Sequence, residues 1–301
     1  MAVPHGAKRW PALTHPQALG LMLLPYLLGL AGFIFVPAGL MLGLAFTQYD
    51  GLSLPHWIGL QNFTLLFADL RFWAALKNSI FFTVLAVPLR SLGALALALF
   101  LNQPRRGAGF YRAAIYLPTV IPDIAYALIW LWVFNPLYGP LNVLLINLGL
   151  PAPAWFVDPS TAKPALIVMS LFQIGEGFVI LLAGLQTISR EVLESAIVDG
   201  ATRRQLVWHV ILPLLRPWLV LLTIRDVILS LQNTFTPAWV MTGGGPYYAT
   251  LFLIQLAYEE AFDGFRFGQG AAILLIILGV AAGLVVSLRL LTQRWSNQSD
   301  E

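Results

Sequence analysis

The chain has 301 residues, of which 58% are hydrophobic and only 10% charged, where a soluble domain carries about 25% charged residues. With a mean hydropathy of +0.78, this excludes an ordinary globular protein and predicts an all-α, polytopic membrane protein, because a helix satisfies its own backbone groups in lipid. The absence of cysteine excludes a disulfide framework, a thiolate metal site and a cysteine nucleophile, and a net charge of +3 scattered between apolar runs points to a lipid bilayer and not to nucleic acid.

Six hydrophobic segments predict six transmembrane helices, over 19–47, 78–101, 113–134, 164–188, 218–241 and 269–291. The first follows Lys8 and Arg9 as a signal peptide would, but it far exceeds the roughly 7 to 15 apolar residues of such a region. It is read as a retained helix that Pro25 and Pro37 kink without ending. Pro88, Pro118 and Pro122 predict similar interruptions in the second and third segments. Trp57, Trp73, Trp130, Trp132, Trp155 and Trp239 lie near the outer ends, where an interfacial belt would place them.

Orientation follows from the basic residues. One set of loops and tails holds Lys8, Arg9, Arg105, Arg106, Arg112, Arg190, Arg203, Arg204, Arg216, Arg289 and Arg294, and the other only Arg71, Lys77, Lys163 and Arg266. The richer set faces the cytoplasm. The expected organisation is a cytoplasmic tail over 1–18, a transmembrane domain over 19–295 with a cytoplasmic loop at 189–217, and a cytoplasmic tail over 296–301.

Ionisable groups inside spans are costly and are functional candidates. Arg90, Glu176, Arg225 and Asp226 meet this description. Glu176 lies between Gly175 and Gly177, where missing side chains admit either a solute or another helix, and its alternative role is an ion pair with Arg90 or Arg225. Arg225 and Asp226 diverge by about 100° on a helix and so are expected to serve different partners. Asn233 and Thr234, with Gln232, form a polar cluster just before Pro237. Beside Phe235 they offer the donors, acceptors and ring face of a sugar site, against the alternative of hydrogen bonds between helices. Gly39 with Gly43, and Gly279 with Gly283, have the spacing of close helix packing. The glycines between Thr242 and Pro246 read as a turn, since no Lys followed by Ser or Thr comes after them.

The most informative stretch runs from Glu191 to Pro217 and reads EVLESAIVDGATRRQLVWHVILPLLRP. Val192, Leu193, Ala196 and Ile197 form one apolar stripe of a short helix, Gly200 offers the positive φ that stops it, and Pro213 and Pro217 bracket the start of the next span. Physically this is a compact helix, turn and helix on the cytoplasmic face. His209 reads as a polar residue of this loop and not as a metal ligand.

This loop resembles that of the permease subunits of bacterial ABC importers: Glu-Ala-Ala, three residues, Gly, nine residues, a branched apolar residue, one more, then Leu-Pro. Glu194, Ala196, Gly200, Val210, Leu212 and Pro213 fill the pattern, with Ser195 in place of the first alanine and Val210 in place of the usual isoleucine. Further stretches resemble the carbohydrate-type permeases of maltose, lactose and glycerol-phosphate systems. They are Gly59 to Thr83 with Asn62, Phe72, Trp73 and Asn78, Gly109 to Arg112 with Pro118 and Pro122, Trp130 to Asn142, and Thr242 to Pro246.

The resemblance implies a subunit that pairs with a second permease and an ATPase dimer, takes a sugar or sugar-like solute from an extracytoplasmic solute-binding protein, and sits in the bacterial inner membrane with both termini in the cytoplasm. It implies that Glu194, Ser195, Ala196, Asp199 and Gly200 couple to the ATPase, and that the fourth and fifth spans, with Glu176, Asn233 and Thr234, line the solute path. No cofactor is expected, ATP being bound by the partner subunits, and no enzymatic activity. The rival readings are an intramembrane enzyme using Glu176, Asp226 or His209, which lacks any recognisable catalytic pairing, and a self-contained secondary transporter.

Overall fold

The computed structural model describes residues 15–103 and 106–297. The expected tails therefore lie mostly outside it, as do Lys8, Arg9 and Arg105. In chain order the elements are α1 (Leu19–Leu44), an antiparallel ribbon of β1 (Thr47–Gln48) and β2 (His56–Trp57), α2 (Gln61–Ala68), α3 (Leu70–Leu101), α4 (Ala108–Val120), α5 (Asp123–Val133) and α6 (Pro140–Asn147). They continue with α7 (Pro159–Ser170), α8 (Gly175–Gln186), α9 (Arg190–Val198), α10 (Arg203–Met241), α11 (Leu253–Tyr258) and α12 (Phe267–Leu290).

α1, α3, α10 and α12 are each long and apolar enough to cross a membrane, and α4–α5 and α7–α8 each make one further span as a bent pair. The six expected segments are thus all present as helix, but the third is not a straight span. It bends by 100° between α4 and α5, because the Pro122 ring forces Ile121 into extended backbone at ψ 129°. Pro25, Pro37 and Pro88 are absorbed without a break, with a π-helical turn at Ala31–Phe35 between the first two.

Two helices start earlier than expected. α3 begins at Leu70, where Asp69 caps it by accepting from the Arg71 amide at 2.8 Å. α10 begins at Arg203, so Pro213 and Pro217 lie inside the helix and do not bracket its start. A π-helical turn at Leu206–Ile211 directly precedes Pro213 and loosens the backbone ladder where that ring has no N–H to give.

Helix packing also differs from the glycine spacing. A Cβ on Gly39, Gly43, Gly279 or Gly283 would meet nothing within 4 Å, and α1 buries none of its apolar window against the rest of the chain. The close approaches are made by α8. A Cβ on Gly175 would lie 2.8 Å from the Ile115 carbonyl of α4, and one on Gly184 would lie 2.6 Å from the Trp218 ring of α10. α8 accordingly packs against α3, α4 and α10, over a core that includes Ala94, Phe178, Leu181, Leu215 and Leu222.

The end of the bundle formed by the ribbon and the starts of α3 and α12 is stitched by polar side chains. Asn62 donates to the Ala45 and Thr47 carbonyls at 2.9 and 2.8 Å, and Asn78 to those of Tyr248 and Leu251 at 2.8 and 2.9 Å. Buried Glu260 accepts from Arg71 at 2.7 Å and from Arg266 at 2.6 Å, tying the start of α3 to that of α12. Burial pushes the neighbouring Glu259 carboxyl above its ordinary range, against a hydrogen bond from Gln255. The Thr242 to Pro246 stretch is a turn with Gly243 and Gly244 at φ 58° and 85°. Of the tryptophans expected in a belt, Trp57, Trp73, Trp132 and Trp239 are exposed. Trp130 and Trp155 instead pack on Phe134, with ring centroids 5.1 and 4.9 Å away.

Candidate functional site

The bends in α4–α5 and α7–α8 leave a cavity of about 210 Å³ between α3, α4, α5, α7, α8 and α10. Glu176, Asn233 and Thr234, distant in sequence, all line it. Arg90, Asp123, Tyr126, Gln173, Arg225, Asp226 and Ser230 supply most of its remaining polar wall, and Phe82, Leu166, Leu222 and Phe252 its apolar wall.

An ion-pair chain runs across this wall. Glu176 at the start of α8 pairs with Arg225, which also lies 3.4 Å from Asp226. Asp226 is 3.6 Å from Arg90 of α3, whose guanidinium also donates to the Ser230 hydroxyl. The adjacent residues Arg225 and Asp226 therefore turn to different main partners, Glu176 and Arg90, while keeping a long contact with each other. Charges within membrane-spanning helices are tolerated when they pair with one another in this way. Glu176 is both paired and cavity-facing, and the glycines flanking it serve contact with α4, α3 and α10.

Asn233 and Thr234 interrupt α10. Pro237 removes the amide that would bond the Asn233 carbonyl in a regular helix, so that carbonyl loses its usual donor. The Asn233 side chain is exposed and makes no hydrogen bond among the described residues. Phe235 does not face the cavity. It stacks on Trp239 and Tyr258, at 5.8 and 5.1 Å, along a separate apolar groove that also includes Phe262 and Phe267. The aromatic rings that line the cavity are Phe82, Tyr126 and Phe252. Residue 235 follows two turn positions, and the helical rotation across that break carries its ring to the other side.

At the far end of α10 from the cavity, α9 closes in a Schellman motif. Gly200 has φ 84°, its amide donates to the Ile197 carbonyl at 3.0 Å, and the Ala201 amide donates to that of Ala196 at 3.0 Å. Thr202 then caps α10 in a capping box with Gln205. Glu194, Ser195 and Asp199 are exposed and Ala196 is half-buried. The Ser195 hydroxyl donates to the Glu191 carbonyl at 2.8 Å. Leu193 is half-buried like Ala196, but Val192, Ile197 and Val198 are open. The apolar stripe expected on α9 is thus only half covered. His209 lies in the π-helical turn, with Nδ1 3.2 Å from the Gln205 carbonyl.

A family model described as the binding-protein-dependent transport system inner membrane component matches residues 91–297, well over half of the chain. The chain belongs to that family. Among its relatives is the probable ABC transporter permease protein YesP of Bacillus subtilis (strain 168), 36% identical over 85% of each chain. Another is the sulfoquinovosyl glycerol transport system permease protein SmoG of Agrobacterium fabrum (strain C58 / ATCC 33970), 31% identical over 91% of this chain and 89% of that one. The fold is that of a chain in a bacterial ABC transporter involved in the import of the acidic polysaccharide alginate, with TM-score 0.78 and 24% identity over 92% of this chain and 95% of that one.

Within this permease, Asp123 and Gln173 are among the polar cavity residues that escape the sequence analysis, with Tyr126 and Ser230. Asp123 carried a usable signal, an ionisable side chain inside the third hydrophobic segment. Gln173 carried none, because it sits in the break between α7 and α8 that only the structure reveals.

Proposed function

We propose that this permease is one of two membrane subunits of an ATP-driven importer for a sugar or sugar-like solute, working with an ATPase dimer and an extracytoplasmic solute-binding protein. The observation that carries the reading is that one helix, α10, joins the Schellman-capped loop to the polar cavity. At 1.5 Å per residue, Arg203 and Arg225 are roughly 33 Å apart along it. A displacement of the loop is therefore delivered to the cavity wall along one continuous helix.

In this reading Glu194, Ser195, Ala196, Asp199 and Gly200 dock on the ATPase, whose closure on ATP moves the loop. Glu176, Asn233 and Thr234 contact the passing solute. The permease performs no covalent chemistry and needs no cofactor of its own, since ATP belongs to the partner. The basic residues place both termini in the cytoplasm, and reporter fusions at residues 60, 155 and 255 should read as external. SmoG, named for a sulfonated sugar derivative, supports only the sugar framework of the solute and not its charge.

The complex drawn from membranes through a tag on this chain should contain a second permease and an ATPase. Its ATP hydrolysis should rise with the solute-loaded binding protein. Transport by this chain alone in proteoliposomes would make it a secondary transporter and overturn the proposal.

A further inference from the structure

We infer that the solute passing this cavity is an uncharged polyhydroxylated molecule, selected against anions by the unpaired carboxylate of Asp123. The inference rests on the importer reading above and narrows its solute. Five ionisable side chains line the cavity: Arg90 and Arg225 against Glu176, Asp226 and Asp123. Both cations are already ion-paired, Arg90 with Asp226 and Arg225 with Glu176 and Asp226, although the buried Arg90 Nε, 3.6 Å from Asp226, makes no hydrogen bond. Asp123, the first residue of α5, has neither an ion pair nor a hydrogen bond among the described residues. With the two arginines answered by Glu176 and Asp226, the wall keeps one net negative charge.

A phosphate, sulfonate or carboxylate on the solute would meet that charge where the exposed Asp123 faces the cavity. To be bound it would have to draw an arginine away from its carboxylate, leaving that carboxylate unpaired in the membrane. A hydroxyl faces no such obstacle. The groups with capacity to spare are the Asp123 carboxylate, which accepts, and the side-chain amides of Gln173 and Asn233, which donate and accept. The Asn233 carbonyl, deprived of its donor by Pro237, adds another acceptor. Hydroxyl groups donate and accept alike and match this set. The apolar faces of a sugar ring match Phe82, Tyr126 and Phe252. Asp123 and Asn233 also border the aromatic groove outside the cavity, so both stand where the two spaces meet, and a solute moving between them passes the carboxylate.

The absence of native cysteine makes the charge measurable. Asn233→Cys would be this chain's sole thiol, and its rate of modification is measured in membrane vesicles holding the full transporter complex. The neutral probe is 2-hydroxyethyl methanethiosulfonate and the anionic one 2-sulfonatoethyl methanethiosulfonate. Tyr247→Cys, on the exposed outer turn, gives the reference ratio, and Leu229→Cys on the same cavity wall repeats the measurement. The neutral-to-anionic rate ratio at 233 and 229 should exceed the reference by about tenfold, the effect of one nearby charge, and adding Asp123→Asn should bring it back towards the reference. Equal ratios at cavity and reference positions, or a ratio indifferent to Asp123→Asn, would overturn the inference.

Uptake of paired probes completes the test. Neutral oligosaccharides should be imported and their uronate counterparts refused, and import of the uronates alone would also overturn it. If neither class is imported the sugar-importer proposal fails, whereas the reagent ratios still decide the charge of the cavity.

Discussion

The loop over Glu191 to Pro217 and the cavity share one helix, α10, yet they are held by opposite kinds of contact. In the loop the bonds that shape the turn close within five residues, from Ser195 to Glu191, Ala201 to Ala196, Gly200 to Ile197 and Thr202 to Gln205. None of the α9 side chains is buried. In the cavity the bonded partners are far apart, Arg90 and Ser230 by 140 positions and Glu176 and Arg225 by 49. The loop therefore keeps its shape wherever the rest of the permease goes, as a part that transmits force to α10 must. The cavity keeps its shape only while α3, α8 and α10 hold their places, as a part that changes access must not do permanently.

The largest effect should come from breaking the locally built end. Gly200→Pro demands a φ near −65° where the chain has 84°, and Glu194→Lys reverses the charge on an exposed face. Each should abolish uptake and stimulated ATP hydrolysis while the protein still inserts in the membrane. Normal uptake by both variants would remove the loop from coupling.

A step smaller is the ion-pair chain. Asp226→Ala leaves Arg90 and Arg225 with less than their complement of negative charge, and stripping one partner from a buried pair costs about 3 to 5 kcal/mol. The Tm of the detergent-solubilised complex should fall accordingly, and the double variant Arg90→Met with Asp226→Leu should recover most of the loss. A single variant as stable as the parent would show that these charges do not hold α3 to α10.

The smallest effect, and the one that most sharpens the contrast, belongs to Asn233. Its side chain bonds nothing within the described residues, so Asn233→Ala should leave the Tm unchanged. It should weaken solute binding by roughly three- to tenfold, the worth of one neutral hydrogen bond of about 0.5 to 1.5 kcal/mol. Reduced stability with an unaltered solute dependence would take the residue out of the site.

What could be read without coordinates follows the same division. Six apolar runs were visible because lipid demands that each span bury its backbone within itself, which leaves a long hydrophobic stretch in the sequence. The helix, turn and helix over Glu191 to Pro217 were visible because Gly200 acts on residues next to it, although the Thr202 cap and the π-helical turn, which start α10 at Arg203 and not beyond the prolines, were not. Glu176, Asn233 and Thr234 were visible singly, as polar groups in apolar company. That they share one cavity, that Arg225 rather than Arg90 answers Glu176, that Phe235 turns away and that Asp123 and Gln173 join the wall were decided by tertiary structure alone. The reason is physical: a cap or a hydrophobic run is satisfied by its neighbours in the chain, whereas an ion pair or a cavity exists only where the bends at Pro122 and before Gly175 bring distant helices together.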